Sequence, residues 1–279
     1  MTIQEIVKIL TDSGIEENEA NVEVKLLLEH FANFSAKDLI LGKKLTQNML
    51  EIVKEKAELR AKTHQPIQHI IGFAHFMGEK FIVNPDVLIP RDETEILVRK
   101  AVEIINKNGL KFALDVGTGS GCIACMIAKL TDAQIIGLDI STDALNTALD
   151  NASRLNLFNK AIFRKSDIFS NVKEGETFDI IVSNPPYIPP SQKETIQKEV
   201  TFDPETALFT TDEKGLEFYE KITSGAPRVL KEGGYLIFEL GIGQSQAVKE
   251  IMTSNGFKNI EIIKDLAGID RVICGNLED

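Results

Sequence analysis

Several features are scarce in this sequence, and each scarcity excludes something. No stretch approaches the roughly 20 apolar residues that a membrane-spanning helix needs. The N-terminus, MTIQEIVKIL, is acidic and amphipathic and lacks the basic and apolar regions of a secretory signal. A cytoplasmic protein without membrane attachment is expected. There are three cysteines. Cys122 and Cys125 form a lone C-x-x-C and Cys274 stands far away, so no second pair or nearby histidine cluster supports a metal site. The pair falls in a segment expected to be a buried helix, where thiols pack as small apolar groups, and no metal is expected. Of the four histidines, His64, His69 and His75 cluster, His30 stands alone, and none follows a sheet strand, which leaves no Ser/His/Asp arrangement. A G-x-x-x-x-G-K-[ST] loop for ATP phosphates is absent. Basic residues are outnumbered, nine to eleven up to residue 75 and 22 to 31 beyond it. That balance makes a poor general binder of nucleic acid, whose affinity rests on Lys and Arg at phosphates.

What is present suffices for a real core: 279 residues, 43% hydrophobic and 26% charged. Residues 1–65 read as helices. Ile3, Ile6, Val7 and Leu10 recur at helical spacing. A second run, about Glu19 to Phe31, carries Val22, Leu26, Leu27 and Phe31. A third opens at Thr46, a good N-cap. Residues 66–90 mix glycines, aromatics and β-branched residues with turn signals, as in a short hairpin or connector. From about Arg91 strands and helices alternate. Strands are expected at Lys111–Val116, Ala133–Ile140, Ala161–Arg164, Phe178–Val182 and Gly234–Leu240, with helices at Ser120–Leu130, Thr142–Leu155 and around Leu216–Leu230. Phe257–Lys264 and Arg271–Cys274 read as an antiparallel end. Such alternation implies a mostly parallel α/β sheet with helices on both faces. The expected organisation is a helical domain over 1–75, a hairpin connector over 76–90 and an α/β domain over 91–279. The helical domain is either a structural cap or a partner-docking module.

The chemistry gathers at strand ends. The first strand runs into DVGTGSG, Asp115–Gly121, and a helix follows. Glycines at such a turn let the backbone approach a ligand, and the helix N-terminus offers free N–H groups. Asp139 ends the second strand, where an acid can accept both ribose hydroxyl hydrogens. Glycines at 117, 119 and 121, with Cys122 where the third is expected, depart from the NAD spacing. A G-x-G-x-G loop with an acid after strand two is the pattern of S-adenosylmethionine enzymes of this fold. Asp167 in KSDIF follows the third strand at the height of an adenine amino group, and Ile168 would pack on the adenine face.

The fourth strand ends in SNPPYIPP, residues 183–190. Prolines cannot continue a central strand, so the chain turns out abruptly and presents an amide and a phenol ring. An amide or exocyclic amine is a weak nucleophile and must be oriented to be methylated. The Asn184 side-chain oxygen and the Pro185 carbonyl can accept its two N–H groups, and Tyr187 can stack on the planar group.

With these motifs the sequence resembles the HemK/PrmC family of release-factor glutamine methyltransferases, nearly end to end. The resemblance covers PIQHIIG (66–72), VLIPRDETE (87–95), DVGTGSG, NPPY, FDPETAL (202–208) and GIDRVICG (268–275). NPPY is shared with DNA and RNA amino-methyltransferases; LIPR-x-ETE and DRV-x-x-G are more specific. His69 stands where the family commonly has Tyr, and Asp92 where it has Pro. The resemblance implies a class I S-adenosylmethionine-dependent methyltransferase domain, Rossmann-like with a seven-stranded mostly parallel sheet, joined by a β-hairpin to a small N-terminal helical domain. It implies S-adenosyl-L-methionine as cofactor and, as substrate, the glutamine of the GGQ motif in class I peptide-chain release factors. Carried over, Gly117, Thr118, Gly119, Ser120, Gly121, Asp139, Asp167, Ile168 and Asn184 would contact the cofactor, and Asn184, Pro185, Pro186 and Tyr187 would hold the glutamine amide. A monomer without stable nucleic-acid binding is expected. Two other readings stay open: a nucleic-acid amino-methyltransferase acting on a flipped base, and a non-catalytic binding module on the same fold.

Overall fold

The computed structural model describes residues 2–278. The chain forms two compact units. One comprises the residues up to Phe73 together with Gln197–Phe202, and the other comprises Ala74–Ile196 together with the chain from Asp203 onward.

The first unit is helical: α1 (Ile3–Asp12), α2 (Glu17–Ala32), α3 (Ala36–Ile40), α4 (Gln47–Thr63) and α5 (Ile67–Ile71). Thr2 and Glu5 form a reciprocal capping box at the start of α1. Thr46 caps α4, accepting the Met49 N–H at 3.3 Å. The core is built from Ile6, Leu10, Val24, Leu27, Leu28, Val53 and Ala57. The stripe on α2 differs from the one expected. Val22 is 55% exposed and Leu26 and Phe31 are half-buried, while Ala20, Val24, Leu27 and Leu28 face inward. Small Ala20 and charged Glu23 lie on the buried face and disguise its spacing. Glu23 is tolerated there because the Arg60 Nε bonds both of its carboxylate oxygens, at 3.1 and 3.2 Å. Arg60 Nη1 also reaches Glu199 Oε1 at 3.1 Å. Burial pushes the Glu23 carboxyl up and Arg60 opposes it.

The hairpin of β1 (Phe73–Phe76) and β2 (Glu79–Ile82) occupies the middle of the stretch read as a connector, with the helical turn of α5 before it. Then follow α6 (Thr94–Asn108), β3 (Phe112–Val116), α7 (Cys122–Leu130), β4 (Gln134–Asp139), α8 (Thr142–Arg154), β5 (Ala161–Lys165) and β6 (Phe178–Ser183). The chain continues through α9 (Glu205–Leu208), α10 (Glu217–Gly225), β7 (Leu230–Glu239), α11 (Ser245–Ser254), β8 (Phe257–Lys264) and β9 (Asp270–Leu277). The seven-stranded sheet has the order β5-β4-β3-β6-β7-β9-β8. β9 pairs antiparallel with β7 and β8, and the other pairs are parallel. One core packs α6, α7 and α8 on one face, and a second packs α10 and α11 on the other. Two expected helices are shorter. Gly121 in the left-handed region delays α7 to Cys122. Pro227 ends α10 in a single 3-10 turn, Ala226–Arg228.

Strand order reverses between β3 and β6. At such a switch point the loops leave in opposite directions and open a crevice at the carboxyl edge.

Candidate functional site

A cavity of about 380 Å³ opens at that edge. It is lined by residues that follow four parallel strands: Gly117 and Gly119 after β3, Asp139, Ile140 and Ser141 at and after β4, Asp167 and Ile168 after β5, and Asn184, Pro185 and Pro186 after β6. A larger groove of about 550 Å³ runs between α10 and α11 and contains none of the residues singled out from the sequence.

The loop after β3 is built to leave space. Gly117, Gly119 and Gly121 have φ of +74°, +51° and +76°. A Cβ at Gly117 or Gly119 would meet nothing within 4 Å, whereas one at Gly121 would lie 2.9 Å from Ala148 Cβ. The first two glycines therefore face open cavity and the third allows the loop to pack on α8. Thr118 and Ser120 are buried. The Thr118 hydroxyl donates to Asp115 Oδ2 at 2.6 Å, and the Ser120 carbonyl accepts from Asn151 Nδ2 at 2.9 Å. Thr118, Ser120 and Gly121 thus shape the loop from behind and do not line the cavity. Asn151 also bonds Ile82 through both its amide groups, fastening the hairpin to the loop. Asp115 lies wholly buried beneath the N-terminus of α7, and burial pushes its carboxyl up to about 7.

Asp139 is half-buried. Its Oδ2 accepts the Gly119 N–H and its Oδ1 the Ser141 N–H, both at 2.9 Å. Burial raises its carboxyl, and the Ser141, Gly119 and Ile140 N–H groups oppose the rise. Each oxygen retains a lone pair for a ligand. Ile140, 56% exposed, offers an apolar face at the cavity wall. Asp167 is exposed. Ile168 has φ +48°, an uncommon conformation for a β-branched side chain. Ser166 holds it there, donating its hydroxyl to the Ile168 carbonyl at 2.8 Å and accepting the Asn171 N–H at 3.0 Å. Backbone strain kept in place at a cavity wall is a mark of a binding site. An acid after β4, apolar walls and an open glycine loop fit a nucleoside.

At the end of β6, Asn184 Nδ2 donates to Thr94 Oγ1 at 3.3 Å, and the Thr94 hydroxyl donates to Glu239 Oε2 at 2.6 Å. The Thr94 hydroxyl and the Asn184 amide favour the ionised form of the Glu239 carboxyl. Glu239, 3% exposed, is pushed up to about 7 chiefly by burial. Tyr187 stands beside the cavity and does not line it. Its ring packs on Gly241 and its carbonyl accepts the Gln244 Nε2 at 3.0 Å. Burial raises its phenol well above the usual range.

Two further stretches meet here. Arg91 Nη2 donates to Asp203 Oδ2 at 2.6 Å, and the Ile89 N–H to Asp203 Oδ1 at 3.3 Å. This joins LIPRDETE to FDPETAL, and Val87, Leu88, Pro204 and Ala207 line the cavity beside them. Both stretches are conspicuous in the sequence, but Arg91 and Asp203 are 112 residues apart, so their pairing is not. Among the described residues, no three His, Cys, Asp or Glu side chains are grouped closely enough to hold a metal. Burial pushes the Cys122 thiol up to about 12.

The chain resembles known proteins along most of its length. A methyltransferase domain model matches residues 106–272 and a PrmC N-terminal domain model matches residues 2–72. The release factor glutamine methyltransferase of Neisseria gonorrhoeae is 38% identical over 259 residues, 91% of this chain and 92% of the relative. That of Flavobacterium psychrophilum is 38% identical over 273 residues, 95% of this chain and 94% of the relative. Among solved structures, a methyltransferase from Pyrococcus furiosus superimposes with a TM-score of 0.52 at 21% identity, over 73% of this chain and 91% of that one, and shares the fold. The chain belongs to the release factor glutamine methyltransferase family.

Proposed function

We propose that this protein transfers a methyl group from S-adenosyl-L-methionine to the side-chain amide nitrogen of the glutamine in the GGQ motif of class I peptide-chain release factors. The observation that carries the reading is the single cavity that joins the glycine loop and Asp139 to Asn184 and Pro185. When bound, the cofactor supplies an electrophilic methyl group on a sulfonium. Asp139 would accept the ribose hydroxyls, Gly117 and Gly119 would leave room for backbone contact, and Ile140, Ile168 and Asp167 would hold the adenine.

A glutamine amide nitrogen is a weak nucleophile because its lone pair is delocalised. Asn184 Oδ1 accepts one of its N–H groups and the Pro185 carbonyl, set by proline's restricted φ, accepts the other. The lone pair is thereby aimed along the transfer direction. Pro186 and Tyr187 close the edge against water. Fixing the reacting groups in this way lowers the barrier by several kcal/mol without a strong base.

The helical unit selects the protein substrate and does no chemistry. A standard protein interface buries about 800 Å² per partner, far more than one glutamine side chain offers. No described helix is long and apolar enough to cross a membrane, and the enzyme works as a cytoplasmic monomer without stable nucleic-acid contacts.

The test is incubation with methyl-labelled cofactor and separate pools of release factor, DNA and RNA. Label in release factor, abolished by mutating the GGQ glutamine and lowered on the order of a hundredfold by Asn184→Ala, supports the assignment. Label in DNA or RNA alone overturns it in favour of an exocyclic amine.

A further inference from the structure

We propose that Thr94 and Glu239 are positioning residues that fix which end of the Asn184 amide faces the substrate. The inference rests on the role given to Asn184 above and extends it to two residues outside the cavity. An asparagine side chain has two nearly isosteric ends, one a donor and one an acceptor. Rotated by half a turn, Asn184 would present an NH₂ to the glutamine nitrogen and hold nothing in place. The structure contains a device that decides between the two ends. Glu239 is buried at the end of β7 and can only accept while ionised. The Thr94 hydroxyl has one proton, and it is committed to Glu239 Oε2 at 2.6 Å. Toward Asn184 the hydroxyl therefore offers a lone pair alone. The Asn184 group that meets it at 3.3 Å must be the NH₂, and the Asn184 amide also favours the charged form of the nearby carboxylate. With the NH₂ held on that side, Oδ1 is the atom turned away from Thr94. A flipped amide would set its oxygen against a hydroxyl lone pair and a carboxylate together, leaving buried acceptors facing one another.

The arrangement draws on three distant segments, since Thr94 lies 90 residues from Asn184 and 145 from Glu239. Thr94 is itself buried, 3% exposed, at the first turn of α6. Packing can fill that position without a hydroxyl, so an isosteric valine separates volume from hydrogen bonding.

The decisive measurements use the full-length enzyme at pH 8, above the value near 7 to which burial pushes the Glu239 carboxyl. Side-chain amide NMR on asparagine-labelled protein, with the Asn184 signal identified by its loss in Asn184→Ala, should show Nδ2 protons protected from exchange in the wild type. Thr94→Val should accelerate that exchange roughly tenfold or more, and Thr94→Ser should restore it. In turnover, Thr94→Val and Glu239→Gln should each lower kcat roughly tenfold with little change in cofactor Kd or release-factor KM. Thr94→Ser should recover most of the loss. In the Asn184→Ala background Thr94→Val should cost less than about twofold, because its effect passes through Asn184. An unprotected Asn184 amide in the wild type would overturn the proposal, as would equal losses from Thr94→Val in both backgrounds. A protected, Thr94-dependent amide in an enzyme that labels no release factor would leave this inference standing and remove the substrate assignment instead.

Discussion

Asp139 reaches back across 20 residues to accept the Gly119 N–H at 2.9 Å. One carboxylate thus fixes the glycine loop and faces the cavity. Asp139→Ala removes both roles, and the loss of a charged hydrogen-bonding group at a ligand costs about 1.5–3 kcal/mol. We expect cofactor affinity, measured by calorimetric titration, to fall roughly tenfold to a hundredfold, with a smaller change in kcat at saturating cofactor. An unchanged Kd would refute the assignment.

Gly215 has φ +69°, and a Cβ there would lie 2.2 Å from the Tyr187 carbonyl oxygen and 2.5 Å from Gln244 Nε2. Backbone must move to admit it. Gly215→Ala should displace Tyr187 and lower turnover at least about tenfold, as small misplacements of positioning groups do. Cofactor affinity should hold, since Gly215 does not line the cavity. Equal loss of both would point to general disruption.

Burial keeps the Asp115 carboxyl protonated up to about 7, while in the unfolded chain it ionises near its ordinary value. The folded state then binds the extra proton across that window. Its contribution to stability is full below the unfolded pKa and is lost as pH rises through about 7. Asp115→Asn removes this dependence. The melting temperature of the variant relative to wild type should rise by several degrees between pH 5 and pH 8.5. A constant difference would show that Asp115 is not the titrating group.

Arg60→Ala would strand Glu23 in the core of the helical unit. Removing one partner of a buried pair costs about 3–5 kcal/mol. Hydrogen exchange should accelerate sharply for amides of α2 and α4 and stay unchanged for β3 and β6. Protection lost in both units alike would contradict the division of the chain.

A protein lacking residues 1–73, with Glu199→Gln to replace the charge that Arg60 meets, tests the docking role. Cofactor binding should be retained and KM for intact release factor should rise steeply. A short peptide bearing the target glutamine should be a poor substrate for both forms. Unimpaired turnover of intact release factor would reduce the helices to a structural cap.

The parts of the site legible in the sequence are those carried by contiguous stretches. The DVGTGSG loop, Asp139 and NPPY announce themselves through glycine and proline at strand ends, where backbone conformation demands particular residues. The seven strands were legible for a similar reason, because β-branched runs alternate with polar turns. Helix α7 starts two residues later than expected, since it is buried nearly all round and its periodicity marks no edge. Helices α6 and α11 lie outside the expected elements, although Leu97, Val98, Ala101, Ile104 and Ile105 carry the spacing of the first. Thr94, Glu239 and Asp203 were invisible as a group, because each looks like an ordinary polar residue until the sheet brings it to its partner.

Gln197–Phe202 belongs with the helical unit although the chain on either side of it belongs with the sheet. Heredity therefore cannot treat the first 73 residues as a detachable cassette. A chimera that swaps them between relatives inherits Arg60 without the Glu199 it was matched to, unless the six-residue piece travels as well. Comparison of swaps made with and without that piece would reveal how far specificity for a foreign release factor is transmitted by two separate stretches of gene.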